Sequence, residues 1–466
     1  MHRAMTLLAL ATLVTAACTT ADLPASGSAD PAATPGVEPW PSAPETDDRA
    51  LDQAVAESVE QLVTTLAMRS VDADALDVIA ASGDARLAWV VSDMLRFVAD
   101  TRTEEALVNA FTDLTGIDPR SDDRFGSFPW IAATNLLFAW DLPAPPDYQA
   151  TKAKLFVAFE PGWEPFFADV DSRIDWRFVS WGGVFIDDST SGGGRPCSRG
   201  CIPALDDPAL TAASQGDWYA DDRTVFGIVV NDEAVAFPKH QMEVHEMVNI
   251  TIGGRRIGMP YCTLCGAAQA YLTDAVPDGV ETPVLRTSGL LSRSNKVMYD
   301  LVTQSVFNTF TGRALSGPLE DIGLVLEQAT VVVSTWGEWK EAHPDTRIVA
   351  EDGGIGRSYP DDPLDGRDDF GPIFPIGQPD SRLPAQAAVV GVIGPDGRPM
   401  AFPAEQAADE LAAGRAVVLN GVTLMTDGGG LRAWGPDGAE IASHEAFWFA
   451  WSQFHPETAL WTPLGQ

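Results

Sequence analysis

The chain has 466 residues, 45% of them hydrophobic, with 14 Trp and 21 Phe, so it can bury a sizeable core. Sixty-six acidic residues against 30 basic ones leave a formal net charge of −36. A field of that sign repels phosphate backbones and anionic headgroups, which argues against nucleic acid as a partner, and otherwise serves solubility.

The chain opens MHRAMTLLALATLVTAAC. One basic residue, Arg3, precedes an apolar run from Met5 to Val14, and small residues lead to a cysteine. Residues 1–17 therefore read as a secretory signal. The apolar run is too short to span a bilayer as a stable helix. Thr15-Ala16-Ala17-Cys18 resembles a bacterial lipobox, which predicts diacylglycerol on Cys18. The protein is then extracytoplasmic, anchored by its N-terminal lipid on the periplasmic or cell-surface side of a bacterial membrane. Residues 18–48 are Ala, Pro, Ser and Thr with almost nothing to bury, a disordered tether.

Residues 49–150 read as helices. Leu51, Val55, Val59, Leu62, Val63 and Leu66 recur at three- and four-residue steps, making one apolar stripe. The segment TEEALVNAFTDL reads as a further helix, with Thr103 as its expected cap. Several such helices in succession predict a small repeat-like helical domain. From about residue 152 the pattern turns to β-rich runs broken by Gly and Pro: LFVAF, WRFVSWGGVFI, TVFGIVV and AVAFP.

Within 151–466 the sequence repeats itself. Val225-Phe226-Gly227-Ile228-Val229 leads through a turn to Ala236-Phe237-Pro238, and Val389-Val390-Gly391-Val392-Ile393 leads to Ala401-Phe402-Pro403. Further on, Trp336, Trp339, His343 and Pro344 are echoed by Trp448, Trp451, His455 and Pro456. The first landmarks lie 165 residues apart (238 to 403) and the second 112 (343 to 455), so the first copy holds 53 residues that the second lacks. We place copy one at 151–350, a Gly/Pro/Asp-rich connector at 351–387 and a shortened copy two at 388–466. Gapless extension sets Glu410 opposite His245, Asp427 opposite Cys262 and Gly430 opposite Cys265. Pieces kept by both copies read as structural, including His343 and His455. Those found only in copy one are suspects for chemistry.

Tyr261-Cys262-Thr263-Leu264-Cys265-Gly266 is a C-x-x-C at the end of a predicted strand. Two thiolates at this spacing can hold one metal ion or close on each other. His245 follows Pro238 on a predicted helix, KHQMEVHEMVN, where Asn249 would share its face. With Cys262 and Cys265 it would complete a three-ligand site suited to zinc or copper, and Glu246 would stand beside it as a general acid or base. A helix histidine satisfied by a hydrogen bond is the ordinary alternative. Cys197 and Cys201, in the Gly-rich loop SGGGRPCSRGC, predict a local disulfide in an oxidising compartment. The Asp-rich stretch 360–369 lacks the full calcium-loop spacing and reads as a solvated linker.

These segments, together with Gly200-Cys201-Ile202-Pro203, Met298-Tyr299-Asp300 and Asp380-Ser381-Arg382-Leu383-Pro384, resemble the bacterial and archaeal domain-of-unknown-function family numbered 3179 over about residues 200–461. The resemblance implies an exported protein and no agreed activity. Within the segment special to copy one, Ser288, Asn295 and Tyr299, with Asn249, are candidates to line a pocket beside the Cys pair. The expected whole is an α+β chain, helical then β-rich with an internal duplication. Three functions stay open: binding of a soft metal, copper or zinc, by Cys262, Cys265 and His245; thiol–disulfide oxidoreduction by the Cys pair; or a non-catalytic surface interaction module with a structural disulfide. Against the second stands the pair's position after a strand, where redox pairs commonly open a helix.

Overall fold

The helix Gln53–Ala67 forms where the apolar stripe predicts it, and Val55, Val59, Leu62, Val63 and Leu66 are all buried. Helices Ala73–Ala81, Ala88–Leu95, Thr101–Thr115, Pro129–Trp140 and Tyr148–Phe159 follow. Short acidic side chains start several of them by accepting the orphan N–H groups of the first turn. Asp72 accepts from Ala75 N at 3.0 Å and Asp100 from Thr103 N at 2.9 Å. The cap of the fourth helix is thus Asp100, not Thr103, whose own N–H is the group being capped. The computed structural model describes residues 40–189, 200–367 and 371–463.

The run LFVAF, expected as strand, closes the helix Tyr148–Phe159, and another short helix, Glu164–Ala168, follows it. Leu155 and Phe156 point their bulk into the helical core, a tertiary demand that outweighs the β preference of the segment. That core also takes in Leu290, Val297, Tyr299 and Val306 from the first sheet, so the helices and the β-rich part share one interior. The chain from Trp40 on is one compact unit.

The β-rich part is a propeller-like ring of small sheets. One sheet orders Val179–Trp181, Leu285–Ser292, Asn295–Asp300 and Val306–Asn308. A second runs Glu327–Ala329, Ala270–Leu272, Arg255–Cys262, Met247–Ile252, Leu205–Asp206. A third orders Val332–Thr335, Thr224–Val230, Glu233–Pro238, Arg347–Val349 and Leu210–Ala212. In the fourth the order is Ser443–Phe447, Ala388–Ile393, Pro399–Pro403, Ala459–Leu460. The fifth is Val417–Leu419, Val422–Asp427, Gly430–Trp434 and Glu440–Ile441.

The third and fourth sheets share a pattern. In each, a central hairpin is flanked by an antiparallel strand on one side and a parallel strand on the other. In each, a tryptophan ring lies on a strand glycine, Trp339 on Gly227 and Trp451 on Gly391, where any Cβ would collide with it. The indole N–H then reaches a threonine hydroxyl, Thr346 at 3.0 Å and Thr458 at 2.9 Å. His343 and His455 pack their rings on these tryptophans at 4.1 and 4.2 Å. The strands Leu285–Ser292, Asn295–Asp300 and Val306–Asn308 enter the chain between Ala270–Leu272 and Glu327–Ala329.

Candidate functional site

The strand Arg255–Cys262 ends at Cys262, a tight 3-10 turn spans Thr263–Cys265, and the chain doubles back so that Ala267 pairs with Cys262. Gly266 makes the reversal in the left-handed region, φ 59°, and the ring of Phe447 leaves no room for a side chain there. The turn brings the two Cα atoms to 5.3 Å and joins Cys262 to Cys265 in a disulfide. Both residues are buried, 3% and 0% exposed, against Phe310, Trp448 and Phe449. The backbone N–H of Lys296 donates to Cys262 Sγ at 3.4 Å, and the Ser294 carbonyl lies 3.6 Å from Cys265 Sγ.

Lys296 is the residue that sequence reasoning misses. Its strand, Asn295–Asp300, is buried at every position, so its alternation carries no signal of an inward-facing charge. The ammonium, 3% exposed, lies 2.9 Å from Glu246 Oε2 and donates to the Glu246 carbonyl and the Thr287 hydroxyl, each at 2.8 Å. Burial pulls its pKa down, while Glu246 and then Asp187 oppose the shift. The second Glu246 oxygen accepts from Thr263 Oγ1 at 3.2 Å, within the C-x-x-C turn. Glu246, the candidate acid–base residue, therefore reaches the C-x-x-C turn through Thr263 and is held in an ion pair with Lys296.

His245 is not brought to the sulfurs. The helix Lys239–His245 ends there, Glu246 turns through the left-handed region at φ 51°, and Asn249 lies in the strand Met247–Ile252 rather than on the helix face. The ring nitrogens of His245 are both taken, Nδ1 by the Pro203 carbonyl and Nε2 by the Tyr359 hydroxyl, each at 2.8 Å. A carbonyl only accepts, so Nδ1 carries the proton and Nε2 accepts from Tyr359. Among the described residues no group of three or more His, Cys, Asp or Glu is placed to hold a metal ion.

This histidine carries a pH dependence. Burial is the largest cause drawing its pKa to about 4, against an opposing hydrogen bond to Pro203. His240 and His455 fall to about 4 and His444 to about 3, again through burial first. A histidine whose folded pKa lies below its unfolded value near 6.5 takes up its proton mainly on unfolding, so stability falls as pH drops from about 6.5 towards 4. We expect a wild-type unfolding free energy that declines over that window. His245→Asn should make the slope shallower by up to about 1.4 kcal/mol per pH unit, one proton's worth. Denaturant unfolding from pH 7 to 4.5 checks it; parallel curves would count against a neutral His245.

The candidate pocket residues are tied into the framework. Asn249 donates to Asp206 at 2.9 Å and the Leu285 carbonyl at 3.1 Å, Tyr299 donates to the Asp187 carbonyl at 2.6 Å, and Asn295 to the Arg293 carbonyl at 3.1 Å. Ser288 donates to the Val297 carbonyl. These are the ordinary cross-strand and backbone ties of a buried sheet. Arg286, equally unsignalled, sits buried between Asp206 at 2.6 Å and Asp187 at 3.6 Å. His343 contacts Asp427 at 2.8 Å. Asp361 in the acidic stretch pairs with Arg223 at 2.9 Å. Cys201 is disulfide-bonded, while Cys197 and Cys18 lie outside the described residues.

Compared with known proteins, the family described as Protein of unknown function (DUF3179) matches residues 199–433, just over half of the chain. No curated protein and no solved structure matches. The chain belongs to that family.

Proposed function

We propose that this member of the DUF3179 family is a thiol–disulfide oxidoreductase of the extracytoplasmic face, tethered by lipid on Cys18, with Cys262 and Cys265 as its redox pair. The observation that carries the reading is the closed Cys262–Cys265 bond in a hairpin that is already held by backbone pairing on both sides. A disulfide closing so short a loop contributes at most about 2 kcal/mol by chain entropy, which makes it a weak brace. The Lys296 N–H on Cys262 favours that sulfur as thiolate.

In the reductive direction, once a dithiol donor has opened the pair by exchange and left as its own disulfide, the Cys262 thiolate attacks a partner disulfide and forms a mixed disulfide, releasing one partner thiolate. Cys265 then attacks Cys262, frees the second partner thiol and restores the intramolecular bond. Two electrons and two protons pass to the partner overall. We also infer that the β-rich part is a duplicated unit, its first copy enlarged by the strands from Leu285 to Asn308, because the paired sheets share order and tryptophan–glycine packing. That insertion supplies Lys296, Ser294 and Thr287 to the pair.

Burial of both sulfurs favours a second reading, a fixed brace where Cys265 and Cys262 pack against Trp448 and Phe449. Alkylation after equilibration in dithiothreitol and glutathione buffers separates the two. We expect two thiols, mapped to Cys262 and Cys265, to appear while near-UV circular dichroism stays native, and reoxidation to be complete. A pair that opens only when the protein unfolds makes it a brace. Stoichiometric zinc or copper retained by the reduced protein, and lost in His245→Asn, would return the metal reading.

A further inference from the structure

A cavity of about 230 Å³ opens beside the hairpin that carries the disulfide's neighbours. Its walls come from residues 173–179, the first sheet and the end of the helix Trp448–Phe454. Trp176, Phe178, Phe307 and Phe454 give it an apolar body.

Three cations reach it in a chain that is strongly acidic overall, and two are already matched. Arg173 is paired with Glu320 at 2.5 Å and Lys296 with Glu246 at 2.9 Å. The lining carboxylate, Asp175, is engaged by Arg177 at 2.6 Å. Arg293 differs: its guanidinium lies over the Phe178 ring, 3.7 Å from the centroid, and makes no ion pair among the described residues. Burial draws its pKa down, opposed by the more distant Asp141 and Asp175, yet a guanidinium stays charged at neutral pH. A second donor is also unmatched, since Trp176 Nε1 is buried and has no hydrogen-bond partner among the described residues. A buried polar group left without a partner is costly and calls for an explanation.

Arg293 owes its position to the turn joining Leu285–Ser292 to Asn295–Asp300. Arg293 and Ser294 both take left-handed backbone, φ 49° and 69°, as the two central residues of a tight hairpin turn do. The same turn presents the Ser294 carbonyl to the disulfide.

We propose that this cavity binds a small organic carboxylate, its apolar body against the aromatic walls and its carboxylate on Arg293, with the Trp176 indole N–H as second donor. The volume lies below the ~300–1,000 Å³ of sites for drug-sized ligands, which limits the occupant to about one ring or a short chain. The proposal does not rest on redox activity of the Cys pair.

The test is a fluorine NMR titration of the whole mature protein with 4-fluorobenzoate and, as neutral counterpart, 4-fluorobenzyl alcohol. A charged hydrogen bond predicts saturable binding of the acid about ten-fold or more tighter than the alcohol. Arg293→Gln should erase that preference, and Arg293→Lys should keep part of it. Ser292→Phe, which fills the cavity from a partly buried rim, should abolish binding of both probes and decides the matter if Arg293→Gln fails to fold. Equal affinity for acid and alcohol, no saturation, or binding untouched by Ser292→Phe would overturn the proposal. Because disulfide state is read separately by alkylation, failure here leaves the redox reading standing, and the reverse holds too.

Discussion

Lys296→Met is expected to destabilise the protein by about 3–5 kcal/mol, the range for removing one partner of a buried ion pair. The ammonium is 3% exposed and its three oxygen contacts, two from Glu246 and one from Thr287, close around it. Without it the Glu246 carboxylate, 14% exposed, keeps only the Thr263 hydroxyl, the Thr287 hydroxyl loses its donor, and the Glu246 carbonyl is left with the Tyr261 N–H at 3.0 Å. Glu246→Gln should cost less than Lys296→Met, because the ammonium would still reach the backbone carbonyl and Thr287. The double variant should recover part of the loss, since no unpaired charge remains buried. Urea unfolding of the three variants measures it. A Lys296→Met cost under about 1 kcal/mol would mean that water reaches the pair and screens it like a surface one.

The reach of the sequence is clearest at the Cys pair. A C-x-x-C is local, so spacing alone predicts that its sulfurs can meet, and the strand before it is readable from ITIGGRRIGMPY. The stripe from Val55 to Leu66 is legible for the same reason, one helix and one period. His245 misleads because its partner is remote. Tyr359 lies 114 residues on, in a connector without periodicity, and nothing near His245 announces it. Asn249 misleads through helix length: the left-handed turn at Glu246 stops the helix one residue after His245, although neither Gly nor Pro marks the place. Lys296 and Arg286 are hidden by burial itself, since a fully enclosed strand lacks the polar–apolar alternation that marks an inward charge.

The tryptophan–glycine contacts carry the last expected result. Trp451 is buried, its ring covers Gly391 and its indole N–H reaches Thr458 at 2.9 Å. Trp451→Ala should cost about 3–5 kcal/mol through the cavity and the lost contacts. Gly391→Ala alone should cost about 1–3 kcal/mol, because its methyl would overlap the indole and neither strand nor helix can retreat freely. Together the two changes should not add. With the ring gone, the alanine methyl enters vacated space, and the less flexible residue limits the unfolded chain, so Gly391→Ala should become neutral or stabilising by up to about 1 kcal/mol in the Trp451→Ala background. Trp339 and Gly227 make the same contact in the third sheet, with Thr346 at 3.0 Å, and should return the same sign reversal. A Gly391→Ala penalty that persists undiminished without Trp451 would show that the glycine is required by its backbone and not by the ring above it.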